Sequence, residues 1–313
     1  VAQGTYRVTV TDAFGCSIVN DSTVPEPPAL NLVMGLDSAS CNGSGDGMIW
    51  VAVTGGSGSY SFLWNDGAST TNDTIYNVSQ GNYEVTVTDA NSCTAVNDST
   101  VPEPVALTTV MGVDSAGCNG SGDGMIWVAV TGGSGSYSYL WNDGGSTTND
   151  TIYNVAQGTY EVTVTDANSC TAVNDSTVPE PVALTTVMGV DSAGCNGASD
   201  GTIWVEVNGG SGSYSFLWND GGSTTNDTIY NVAQGTYEVT VTDANSCTAV
   251  NDSTVPEPTA LNLVMGVDSV SCGGADGMIW VEVSGGSGSY SFLWNDAGST
   301  TNDTVYNVGA GNY

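Results

Sequence analysis

The chain has no histidine and no lysine, and Arg7 is its one basic side chain in 313 residues. Without histidine the commonest general base is missing, and without lysine no Schiff base can form. The lack of lysine also excludes the Lys–Asn isopeptide bond that locks some surface pilin domains. A carboxylate pair could still hydrolyse glycosides. Every acidic position recurs in each period described below, however, and enzymes rarely write four active sites in tandem, so no enzyme is expected. No run of 18 apolar residues is present, so no transmembrane helix is expected in this segment. No signal peptide is visible, which carries little weight because the chain opens inside a repeat. Zinc spacing such as C-x-x-C is missing. With 33 acidic residues the net charge is −32. A polymer this acidic repels phosphate, which argues against nucleic acid and anionic membranes as partners.

What is present points to a folded all-β chain. Hydrophobic residues make up 40% and alternate with period two, between turns supplied by 42 glycines and 9 prolines. The stretch GNYEVTVTDANSC from Gly81 recurs, with small changes, from Gly4, Gly158 and Gly235, and GNY starts again at Gly311. The period is about 77 residues, and such a period must be found before any other reading is made.

Residues 1–27 carry the last two strands of a unit. Complete units follow at 28–104, 105–181 and 182–258, and residues 259–313 hold the first strands of another. Residues 1–27 and the three complete units each close on Pro-Glu-Pro, as at Pro102-Glu103-Pro104, where proline ends a strand and makes a short stiff joint. Val1–Tyr6 and Val308–Tyr313 are the same place in the period. Either the chain is a window onto a longer polypeptide, or one molecule's head completes the next one's tail by strand donation. The overlap favours the window.

In the unit 28–104 we expect strands at about Leu30–Asp37 (A), Met48–Val53 (B), Tyr60–Trp64 (C), briefly near Ser69–Thr71, then at Thr74–Val78 (E), Tyr83–Thr88 (F) and Thr94–Val101 (G). Some seven short strands per period, with turns every 8–12 residues, predict tandem immunoglobulin-like β-sandwich repeats in a linear array. Ile49, Val51 and Val53 should face inward, as should Tyr60, Phe62 and Trp64, and Tyr83, Val85 and Val87. Glu84 is Arg7 in the first copy, which marks a wet face. Gly81-x-Tyr83 resembles a tyrosine corner, whose hydroxyl pins the E–F crossing. A domain this small buries only about 60% of its unfolded surface, so a staple or a stacked neighbour would help it.

The cysteines, Cys16, Cys41, Cys93, Cys118, Cys170, Cys195, Cys247 and Cys272, come two per period. They suggest an extracellular disulfide framework. With seven alternating strands, Cys41 and Cys93 lie at opposite ends of a sandwich, Cys41 would face the F–G turn of the next unit, and Cys41–Cys170 and Cys118–Cys247 become possible. If Ser69–Val78 is a single strand, Cys41–Cys93, Cys118–Cys170 and Cys195–Cys247 form within units. The second set is favoured, since small domains usually staple themselves.

Cys41–Gly67 (CNGSGDGMIWVAVTGGSGSYSFLWNDG) followed by Ile75–Cys93 (IYNVSQGNYEVTVTDANSC) closely resembles the SprB-type repeat. That family builds very large surface adhesins of gliding Bacteroidota. The resemblance implies secreted cell-surface filaments, exported by the gliding-linked secretion system, with roles in adhesion and motility. The last unit departs slightly, since Cys272–Gly277 (CGGADG) is one residue shorter than its counterparts.

Three kinds of candidate site remain. Asp-Ser/Thr-x tripeptides match the O-glycosylation pattern of exported Bacteroidota proteins and single out Ser22, Ser38, Thr74, Ser99, Ser115, Thr151, Ser176, Ser192, Thr228, Ser253, Ser269 and Thr304. Asn72 and Asn97 also head N-x-S/T sequons. The bland alternative is that Asp and Thr cap turns. Asp46, Asp123, Asp200 and Asp276 are weak calcium candidates, because one loop offers too few of the six to eight oxygens that calcium wants. Trp64, Trp141, Trp218 and Trp294 are expected in the cores. Trp50, Trp127, Trp204 and Trp280 should look outward as contact residues, unless a neighbouring loop or side chain covers them.

The expected role is the shaft of an extracellular filament or adhesin, with neighbouring repeats and other copies of the chain as partners. The alternatives are a carbohydrate-binding array that uses the outward Trp rows on surface polysaccharide, and a calcium-stiffened spacer. No cofactor is expected beyond that calcium.

Overall fold

The computed structural model describes residues 1–313. It contains strands and no helix. The first hairpin is β1 (Gly4–Thr11) and β2 (Ser17–Val24). The unit 28–104 holds β3 (Asn31–Asp37), β4 (Gly47–Thr54), β5 (Ser61–Trp64), β6 (Thr74–Val78), β7 (Gly81–Thr88) and β8 (Thr94–Val101). The next unit repeats these as β9 (Thr108–Asp114), β10 (Gly124–Thr131), β11 (Ser138–Trp141), β12 (Thr151–Val155), β13 (Gly158–Thr165) and β14 (Thr171–Val178). They recur as β15 (Thr185–Asp191), β16 (Gly201–Asn208), β17 (Ser215–Trp218), β18 (Thr228–Val232), β19 (Gly235–Thr242) and β20 (Thr248–Val255). The final strands are β21 (Thr259–Asp268), β22 (Gly277–Gly286) and β23 (Thr304–Val308). Backbone contacts gather the chain into two compact units. One holds Val1–Val113, Ile126–Ile152 and Thr159–Thr177; the other holds Asp114–Met125, Tyr153–Gly158 and Val178–Tyr313.

Each complete repeat has two three-stranded antiparallel sheets, ordered β3-β4-β6 and β5-β7-β8 in the unit 28–104. Alternation puts one face of each sheet into a shared core of Ile49, Val51, Trp64, Ile75, Val78, Val85, Val87 and Val101. The unit 182–258 buries the equivalent residues, with Trp218 and Val239 at its centre. Burying one such side chain contributes roughly 1.5–3 kcal/mol. The indole N–H of Trp64 donates to the Asn72 carbonyl at 2.8 Å, so the largest core side chain leaves no polar atom unpaired. The Tyr83 hydroxyl donates to the Ser79 carbonyl at 3.0 Å, and Tyr6, Tyr237 and Tyr313 make the same bond four residues back. The tyrosine corner expected from Gly81-x-Tyr83 is therefore present, and with the two-sheet order it makes each repeat an immunoglobulin-like sandwich.

The brief strand expected near Ser69–Thr71 does not form. Ser69 has a positive φ of 53°. The Asp66 carboxylate accepts the Thr70 N–H at 3.0 Å and also takes the Thr70 hydroxyl, which rolls the chain into a turn. The segment 65–73 instead doubles back, so that β6 runs in the same direction as β5. This follows from the pairings taken with the β3–β8 contacts: β4 is antiparallel to β3 and β6, while β7 is antiparallel to β5 and β8. The Asn97 amide donates to the Leu32 carbonyl (3.1 Å) and the Ala39 N–H to the Pro102 carbonyl (3.0 Å), so β3 and β8 also run the same way.

Candidate functional site

The chemistry of this chain concentrates at the turns that join one repeat to the next. Cys41 follows β3 and so sits where β8 ends, beside Pro102. Cys93 immediately precedes β8 and sits at its other end. Eight strand residues at about 3.3 Å each separate these ends by roughly 26 Å. A disulfide tolerates about 7 Å between Cα atoms. The favoured within-unit pairs Cys41–Cys93, Cys118–Cys170 and Cys195–Cys247 are thereby ruled out. The disulfides are Cys41–Cys170 and Cys118–Cys247, each with a Cα separation of 5.7 Å and a sequence separation of 129. Cys16, Cys93, Cys195 and Cys272 are free and exposed, and for each the cysteine at the same offset would lie outside residues 1–313.

Both turns that meet at a disulfide are prepared by buried or fully engaged carboxylates. Before Cys170, Asp166 is buried. Its Oδ1 accepts the Asn168 and Cys170 N–H groups at 2.9 Å, and its Oδ2 accepts the Ser134 N–H at 2.8 Å. Asp89 and Asp243 hold the equivalent turns. Hydrogen bonding from the Cys93 N–H holds the Asp89 carboxyl below its ordinary range. The turn carrying Cys41 is closed by Asp46, which accepts the Ser40 N–H at 2.9 Å and the Ser40 and Ser44 hydroxyls. These bonds, the Ser40 hydroxyl first, push the Asp46 pKa down to about 2.

The two turns then touch. The Asn168 amide donates to the Ser40 carbonyl at 2.9 Å, and the Asn245 amide donates to the Gly117 carbonyl at 2.8 Å. The Pro-Glu-Pro joint closes the arrangement. Glu103 accepts the Asn42 amide at 2.8 Å and the Gly43 N–H at 2.7 Å. Glu180 and Glu257 do the same for Asn119–Gly120 and Asn196–Gly197. Sequence reasoning read this tripeptide only as a stiff joint. The glutamate fixed between two prolines, with an Asn-Gly turn earlier in each complete unit, was the signal available.

The other candidates fall as follows. Ser38, Ser115, Ser192 and Ser269 are exposed, whereas Thr74 and Ser99 are half-buried, as are Thr151, Ser176, Thr228, Ser253 and Thr304. Ser22 is exposed on β2. The Asn97 amide is occupied by the Leu32 carbonyl. The Asp46 and Asp276 carboxylates bind their own loops through Ser40 and Ser271, and Asp123 and Asp200 accept the N–H of Gly117 and Gly194. No group of three or more His, Cys, Asp or Glu side chains is gathered to hold a metal ion. No helix is long and apolar enough to cross a membrane.

Trp50 is half-buried and lies flat over its cross-strand partner Gly35, where an added Cβ would fall 2.3 Å from the indole ring. Trp127, Trp204 and Trp280 cover Gly112, Gly189 and Gly266 in the same way. A more exposed aromatic row is one the sequence reading passed over. Tyr76, Tyr153, Tyr230 and Tyr306 on β6 and its counterparts are 66, 67, 69 and 65% exposed. Their place between the buried Ile75 and Val78 could have revealed them.

Two solved structures illustrate what the chain is similar to. The Down Syndrome Cell Adhesion Molecule, N-terminal eight Ig domains, matches at 11% identity and a TM-score of 0.29, covering 90% of this chain. This chain spans about half of that one, 55%. Dpr2 Ig1-Ig2 in complex with DIP-Theta Ig1-Ig3 matches at 12% identity and a TM-score of 0.27, covering 72% of this chain and 98% of that one. No curated protein sequence matches this chain. The SprB repeat family model matches residues 37–69, 113–146, 190–223 and 267–299. Each match starts at the end of a first strand and runs through the Cys turn, the second strand and the core Trp, once per period. The chain thus carries four SprB repeats, one in each period from the unit 28–104 onward.

Proposed function

We propose that this chain is the repeat region of an extracellular adhesin or filament, a load-carrying shaft rather than a catalyst. The observation that carries the reading is the junction. A disulfide, a carboxylate-capped turn and a Pro-Glu-Pro joint recur with the SprB period, and the disulfide with its Asn168–Ser40 hydrogen bond ties the repeat 28–104 to the next. Disulfides of this kind persist outside reducing compartments. The net charge of −32 keeps such arrays soluble and mutually repelling.

Neighbouring repeats are the first partners in this proposal, and other copies of the chain in a surface filament are the second. A role in adhesion or gliding motility belongs to the same reading. Where O-linked sugar is added, the exposed row Ser38, Ser115, Ser192 and Ser269 is the preferred acceptor set, and intact mass equal to that of the bare chain would refute modification. Antibodies raised against residues 1–313 should label intact cells that carry the protein. Labelling that appears only after permeabilisation would overturn the surface assignment.

A further inference from the structure

The two disulfides interlock along the sequence. Cys118 lies inside the loop closed by Cys41–Cys170, and Cys170 lies inside the loop closed by Cys118–Cys247. The shortest covalent route from Cys41 to Cys247 therefore crosses one S–S bond, runs back along the segment 118–170, and crosses the other. Fully extended at about 3.5 Å per residue, that segment measures roughly 180 Å. Without the disulfides the route is the whole segment 41–247, roughly 720 Å at the same rise.

We propose that the disulfides act as an extension limiter. When the repeats are pulled apart, even complete loss of every core between Cys41 and Cys247 leaves those residues tethered at about a quarter of the free chain length. Within-repeat bonds would behave differently. Pairing 41 with 93 and 118 with 170 would shorten the same route by two independent loops and leave roughly 360 Å. The interlocked arrangement is twice as restrictive for the same number of cysteines, because each bond shortcuts residues that the other leaves in the path.

The limiter follows from covalent connectivity alone and stands whether or not the shaft serves adhesion. Its failure is thus distinct from failure of the surface assignment.

The test is single-molecule stretching of the full chain, held at its two ends and unfolded in denaturant, with and without a phosphine reductant. Reduction should lengthen the unfolded tether by about 500 Å. Cys41→Ser and Cys118→Ser should each lengthen it by only about 90 Å, because the surviving disulfide still bypasses most of the path. The double variant should recover the whole gain, several times the sum of the single effects. Equal and additive gains of roughly 180 Å from the single variants would overturn the proposal in favour of independent loops. An unreduced wild-type tether of full chain length would overturn it outright. Reducing the wild-type chain after it has folded gives the same length comparison without depending on whether a variant folds.

Discussion

Glu84 and Asp98 stand directly opposite each other across β7 and β8, two carboxylates in one cross-strand pair. In the first hairpin the equivalent residues are Arg7 and Asp21, joined by two bonds of 2.8 and 2.9 Å. Like charges facing each other in this way weaken a sheet, and opposite charges support it. Glu84→Arg should therefore raise the thermal midpoint slightly at low salt. The gain should shrink as salt is added, since the site is exposed. A melting series against ionic strength checks both points.

Gly35 is required by Trp50 and not by its own backbone, because the indole occupies the space of its missing Cβ. Gly35→Ala should displace the ring and cost about 1–3 kcal/mol in denaturant unfolding. Trp50→Thr should also destabilise the repeat. Gly35→Ala combined with Trp50→Thr should cost less than the sum of the two, since the clash is absent once the ring is gone. Additive losses would show that the two residues do not act together.

The tyrosine corner gives a simpler test. Tyr83→Phe removes one hydroxyl and leaves the Ser79 carbonyl without that donor. The repeat should lose about 0.5–1.5 kcal/mol, read as a lower urea midpoint with an unchanged slope. Ser79 is an exposed residue, so the loss should fall at the low end of that range.

Acid should loosen the junctions before the cores. The Asp46 carboxyl is held down to about 2 by Ser40 and Ser44, and Asp89 is lowered by the N–H groups of its turn, that of Cys93 first. A carboxylate whose pKa is lowered on folding contributes stability above its unfolded pKa and loses it as pH falls through the folded one. The window runs from about pH 4 down towards pH 2. Over the same range the other carboxylates discharge and relieve repulsion, so the whole-chain melt mixes two effects. Comparison with Asp46→Asn separates them. The variant should be less stable at neutral pH, and its deficit should close as the pH falls through the window.

Much of this was legible in the residues. The period, the positions of β6 and β8, and the inward faces of Ile49, Val85 and Trp64 follow from alternation and from turn chemistry. The disulfide partners were not legible, because they depend on whether the chain between β5 and β6 adds a strand. The strand is absent, yet the segment doubles back and places Cys41 and Cys93 apart as a seven-strand count would. A turn set by Asp66 and Thr70 does the work assigned to a strand, and strand counting cannot see it. The Trp50 row was legible only in part, for a related reason. The alternation placed it on the outer face correctly, but the cover came from the backbone of Gly35, which has no side chain to announce it.

The overlapping loops also bear on survival after damage. Every peptide bond between Cys41 and Cys247 lies within at least one disulfide-closed ring. A protease that nicks any single exposed turn in that stretch leaves both fragments joined, and the cut becomes visible only once the sulfurs are reduced.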